Sequence, residues 1–136
     1  MQEIPQYPDM ENAMSKITLW GAGLMMLVVG ALHLVAPRMM MQPANFTMTW
    51  ASHFHIIRAA YGGAYIGIAV LFLAGLFAPA CRRASLFAVA ILFCGFACGR
   101  LVSIAVDGLP APLYLAVLAF EVVFATLAVI SLRTRD

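Results

Sequence analysis

ASLFAVAILFCGFACGRLVSIAV, residues 84–106, runs through DGLPAP, residues 107–112, into LYLAVLAFEVVFATLAVISL, residues 113–132. Two apolar runs of this length around a short glycine- and proline-bearing turn read as a pair of antiparallel membrane-crossing helices. A bilayer core of roughly 30 Å takes about 20 apolar residues per helix. Lipid offers no hydrogen bonds, so each crossing segment must satisfy its own backbone groups, and an α-helix does so.

Working outward, the pattern repeats. Phe54 to Phe77 is a further apolar run, separated from the next by Pro79 and the basic pair Arg82 and Arg83. Ile17 to Ala36 carries no charge, has Trp20 near the headgroup boundary and stops at Pro37. Residues 37–53 mix Pro37, Arg38, Pro43, Asn45, Thr47, Thr49 and Trp50 with four methionines and read as an interfacial loop. Pro5 and Pro8 predict an extended or irregular start. The expected organisation is a polar cytoplasmic leader at 1–16, a transmembrane domain at 17–132 and a tail at 133–136. The spans fall at about 17–36, 54–77, 84–106 and 113–132, and the fold class is an all-α, integral membrane four-helix bundle.

Composition agrees: 64% of the 136 residues are hydrophobic and 10% charged, too little polar surface for a soluble domain. The net charge of +2 includes no basic run, which excludes nucleic acid as a partner and leaves the bilayer. Cys81, Cys94 and Cys98 are odd in number and read as free thiols, the last two as packing residues. Glu3, Asp9 and Glu11 are wrong for the start of a signal peptide, so the first span is expected to be retained. Lys16, Arg82, Arg83, Arg133 and Arg135 fall on one side of the membrane and Arg38 on the other, which predicts cytoplasmic termini. The same asymmetry argues against insertion in both orientations.

Arg58, Arg100 and Glu121 lie inside apolar spans, where a charge costs a few kcal/mol and needs a partner or water. At 1.5 Å per residue, Arg100 and Glu121 lie roughly 9 and 12 Å from the turn that joins their helices, which makes them facing partners. Arg58 and His33 are each expected about one turn from the same, periplasmic face. Arg58, Tyr61 and Tyr65 share one helical face by spacing, as do Phe96, Arg100, Ser103 and Asp107. The predicted polar cluster is therefore His33, Arg58, Tyr61, Arg100, Ser103, Asp107 and Glu121. It is suited to an anionic or carbonyl headgroup, or to fixing helix register.

Gly63 with Gly67, and Gly95 with Gly99, have the four-residue spacing at which small residues let membrane helices approach, within the chain or between chains. His53, His55 and the methionines of the 37–53 loop are soft ligands, but the histidines follow no zinc spacing and no metal is assigned. No phosphate loop, serine elbow or catalytic carboxylate pair is present.

The segments Arg58-Ala59-Ala60-Tyr61-Gly62-Gly63, Gly99-Arg100-Leu101-Val102-Ser103 and Asp107-Gly108-Leu109-Pro110, with Glu121, resemble a bacterial family. That family is an uncharacterised group of four-pass inner-membrane proteins, known as a domain of unknown function. The resemblance spans roughly residues 17–132 and is most specific across the Gly-Arg and Asp-Gly-x-Pro segments. It implies the fold and a bacterial inner-membrane location, and carries no reaction or ligand. The first functional expectation is an accessory subunit packed among other membrane subunits in a larger, bioenergetic assembly. The alternative is a membrane-embedded binding protein or small enzyme for a lipophile of the quinone or isoprenoid type. No cofactor beyond such a lipid or quinone is implied.

Overall fold

The computed structural model describes residues 8–133, with side chains from Asn12 onward. The start of the expected leader, with Pro5, and the end of the tail, with Arg135, lie outside the described residues. The helices are α1 (Pro8–Val35), α2 (Pro37–Met41), α3 (Ala51–Ile57), α4 (Ala64–Phe77), α5 (Arg82–Asp107) and α6 (Pro112–Arg133). A 3-10 turn, Gln42–Ala44, follows α2, a π turn, Arg58–Gly63, joins α3 to α4, and a second 3-10 turn, Pro79–Cys81, precedes α5. The chain is all-α, and among the described residues four helices are long and apolar enough to cross a membrane.

Several boundaries differ from the sequence reading, each for a local reason. Pro8 does not break the first helix; it is the first residue of α1. The first N–H groups of a helix have no intrahelical partner, so a residue that lacks one loses nothing there, and its φ is already set. Pro37 and Pro112 open α2 and α6 in the same way. The 37–53 segment is therefore not loop throughout: α2 and its 3-10 turn fill its first half, and α3 starts at Ala51. Asn45, at a left-handed φ of 54°, ends the 3-10 turn. Gly108, at φ 91°, ends α5, a conformation that glycine adopts without a Cβ clash.

Helix α1 lies antiparallel to α4. A Cβ on Gly23 would meet Leu73, and one on Gly30 would meet the Gly62 carbonyl and the Ile66 amide, so residues advancing along one helix pair with residues retreating along the other. Helices α4 and α5 pack across the Pro79 turn, α5 and α6 form a hairpin, and α1 meets α6 to close the ring. A Cβ on Gly21 would collide with the Phe124 ring.

The packed core gathers at the end of the bundle near the α4–α5 turn. Leu19, Ala22 and Met26 meet Ala69 and Phe72, Leu86, Val89 and Phe93, and Ala125 and Ala128. Ser15, Thr18, Ser85 and Ser131 are buried beside it. Thr18 donates to the Met14 carbonyl at 2.9 Å, and Ser85 to the Leu71 carbonyl of α4 at 2.7 Å. Arg82 ties this end together, donating to the Gly75 carbonyl at 3.1 Å and to Asn12 Oδ1 at 2.7 Å. A cation on the carbonyl end of α4 also suits that helix's dipole. The outward faces, with Val70, Phe87, Ile91, Val102 and Val123, are apolar and exposed, as a lipid solvent requires.

Candidate functional site

Three helices present the same spacing to the opposite half of the bundle. Met26, Val29 and His33 on α1, Phe93, Phe96 and Arg100 on α5, and Tyr114, Val117 and Glu121 on α6 each stand at i, i+3 and i+7, which is one face of an α-helix. With Tyr61 and Tyr65 they line a cavity of about 480 Å³. Met39, Met40, Met41, Pro43 and Ala44, from α2 and its 3-10 turn, form its rim. The walls are mostly apolar with a few polar groups, and the volume falls in the range of pockets for small molecules.

The polar groups have defined partners. Arg100 Nε–H is shared between the two carboxylate oxygens of Glu121, at 3.0 and 2.8 Å. Glu121 is 2% exposed, whereas about a third of the Arg100 side chain remains accessible, 33%. His33 is buried, and its Nδ1 lies 2.7 Å from the Val29 carbonyl one turn below. A carbonyl only accepts, so Nδ1 carries the proton and Nε2 of the neutral ring is an acceptor. The His33 ring stacks on Tyr61 with centroids 5.5 Å apart and meets Tyr65 edge-on at 5.9 Å; Tyr65 in turn contacts Phe96 at 6.2 Å. These aromatic contacts hold the histidine of α1 against the π turn and the start of α4.

Of the residues the sequence grouped together, His33, Tyr61, Arg100 and Glu121 meet at this cavity. Arg58 does not. Its Nε donates to the Leu34 carbonyl at 3.0 Å, its guanidinium lies near the Phe54 ring, and it lines a shallow outer groove with Ser52 and His55. The i, i+3, i+7 spacing marks one face only on an unbroken α-helix, and a π turn begins at Arg58. A residue in a π turn advances less than the 100° of an α-helix, so the face that carries Tyr61 and Tyr65 leaves Arg58 behind. Ser103 lines a side pocket of about 220 Å³ with Arg100 and Tyr114, and its hydroxyl donates to Asp107 Oδ2 at 3.0 Å. Asp107 itself is exposed at the end of α5, away from the cavity.

The glycines also redistribute. A Cβ on Gly67, Gly95 or Gly99 would meet nothing within 4 Å, and one on Gly63 would meet only the Arg58 carbonyl at 3.7 Å, so these do not mediate packing within the chain. The close approach is made by Gly30 and Gly62, where a Cβ on Gly62 would lie 2.5 Å from the Leu34 side chain. Cys94 and Cys98, read from sequence as packing residues, are exposed on the outside of α5, and with Cys81 they are free thiols. His53 Nδ1 accepts from the Thr49 amide at 3.3 Å and its ring rests on Phe46.

Sequence reasoning placed neither Tyr114 nor the rim methionines at the site. Tyr114 could have been found, because it stands seven residues before Glu121, on the same helical face. The methionines could not, because their place depends on α2 folding back over the bundle mouth.

Four apolar helices around a cavity lined by apolar and polar side chains define a multi-pass helical membrane protein. The chain belongs to the family described as Domain of unknown function (DUF4345), which matches residues 14–132. No curated protein and no solved structure matches it.

Proposed function

We propose that this protein is a membrane-embedded binding protein for a lipophilic small molecule of the quinone or isoprenoid type. The observation that carries the reading is the 480 Å³ cavity, with apolar walls and with Arg100, Glu121, His33 and the tyrosines among its lining. A buried carboxylate with a guanidinium is expensive to keep in a lipid-solvated bundle, and a chain that needed only stability would fill the space with apolar side chains. Binding is the reading adopted because both oxygens of Glu121 accept from Arg100, so the carboxylate at the site is committed to its partner. We take the membrane to be a bacterial inner membrane with both termini cytoplasmic, from the basic residues Lys16, Arg82, Arg83 and Arg133 at one end. The cavity then lies in the outer half.

Lipid extraction and mass spectrometry of protein purified in mild detergent test the reading. One molecule enriched far above its share of the bulk lipid is expected, and Val117→Phe, which puts a ring into the cavity, should deplete it. A lipid profile identical to that of protein-free micelles overturns it.

The accessory-subunit reading has one feature in its favour, the open space over Gly67, Gly95 and Gly99. Native mass spectrometry from membranes separates the two: a stoichiometric partner chain supports the subunit, and a small-molecule adduct on a lone chain supports the binding protein.

A further inference from the structure

We propose that the cavity takes an uncharged lipophile whose head offers a carbonyl-type acceptor and a hydroxyl or N–H donor, and that it discriminates against carboxylate, phosphate and sulfate heads. The inference rests on the binding reading above and adds the chemistry of the head.

Charge is the first argument. The titratable side chains lining the cavity are His33, Tyr61, Tyr65, Arg100, Tyr114 and Glu121. With the histidine neutral they carry one positive and one negative charge, and these two are paired at 2.8 Å. Arg58 and Arg38 do not line the cavity: Arg58 is held on the Leu34 carbonyl, and Arg38 lies over the Phe54 ring, 5.0 Å from its centroid. An anionic head would therefore enter a neutral cavity and stand beside a buried carboxylate, with apolar walls that screen the repulsion poorly. A neutral head meets no such penalty.

Hydrogen-bonding capacity is the second. Arg100 spends its Nε–H on Glu121, and among the described residues neither of its terminal nitrogens has a protein partner. A guanidinium is a planar set of five donors, so fixing Nε presents the remaining fork in a set plane, suited to one acceptor oxygen. His33 supplies the complement. Its Nδ1–H is committed to the Val29 carbonyl, which makes Nε2 an acceptor for a ligand donor. Glu121 is thus a positioning residue: it neutralises Arg100 and fixes the plane of its guanidinium.

The full chain in nanodiscs of zwitterionic lipid, titrated with three probes of equal chain length, tests this. The probes are 1-hydroxytetradecan-2-one, tetradecyl sulfate and tetradecane, and the readout is adduct occupancy by native mass spectrometry. The hydroxyketone is expected to reach half-occupancy at a concentration roughly tenfold below the sulfate, a difference of about 1.4 kcal/mol. Glu121→Gln, which leaves the site cationic, should bring the sulfate level with the ketone or ahead of it. A wild-type protein that takes the sulfate as well as the hydroxyketone overturns the proposal and leaves the pocket reading standing. Three probes bound equally overturn head recognition, and no probe bound at all overturns both readings. The wild-type comparison decides the matter even where the Glu121 variant fails to fold.

Discussion

Near the α4–α5 turn, Leu19, Phe72, Leu86 and Val89 are packed with no exposed surface, whereas beneath α2 the same bundle stands back from a 480 Å³ space. Phe93 divides the two regions: it touches Phe72 on one side and lies against Phe96 on the other, at the floor of the cavity. The closed half uses compact residues that interdigitate, with the Thr18 and Ser85 hydroxyls satisfied on nearby carbonyls. The hollow half uses rings and long polar side chains that brace against one another and leave a gap. Atoms lining a gap forfeit dispersion contacts, so the hollow half should contribute less to stability and tolerate more change.

Truncation separates the halves most sharply. Phe72→Ala should cost about 3–5 kcal/mol by reversible unfolding in mixed micelles, because it empties a close-packed site. Tyr61→Ala, at the partly exposed wall of the cavity, should cost about 1 kcal/mol or less. Equal losses would erase the distinction between the two halves. A smaller contrast lies within the ion pair. Arg100→Leu strands a buried carboxylate and should cost about 3 kcal/mol, whereas Glu121→Leu strands a guanidinium that can turn toward water and should cost clearly less. The opposite order, measured in the same assay, would mean that the arginine is the member that depends on its partner.

The two kinds of glycine differ in the sign of their effects. Gly30→Ala places a methyl 3.0 Å from backbone atoms of Gly62 and Ile66, which cannot yield as a side chain can. A loss of about 1–3 kcal/mol is expected. Gly67→Ala meets open space and should gain about 0.5–1 kcal/mol from the reduced freedom of the unfolded chain. Melting temperatures in detergent check both, and a loss at Gly67 would reveal a neighbour beyond the chain.

The four crossings were legible because each exceeds the length that only a membrane helix requires, and the meeting of Arg100 with Glu121 followed from matched depths across a short turn. The connecting segments were not. Pro8 and Pro37 are helix breakers in the interior of a helix and helix starters at its first position, and local sequence does not say which position applies. The glycine pairs show a related limit. Spacing reports which residues share a face but not which face meets a neighbour, and Gly30 and Gly62, too far apart in sequence to look like a motif, make the contact.

The π turn at Arg58–Gly63 acts as an angular offset within an otherwise regular rod. By changing the phase of everything before it, one residue of slack decides which guanidinium looks inward, and thereby sets the electrical character of the interior from outside it. Deleting a residue there, for instance Ala60, would take up the slack and leave a straight helix on which residue 58 stands about 240° from the second tyrosine, so the guanidinium would still face away and the hollow would stay electroneutral.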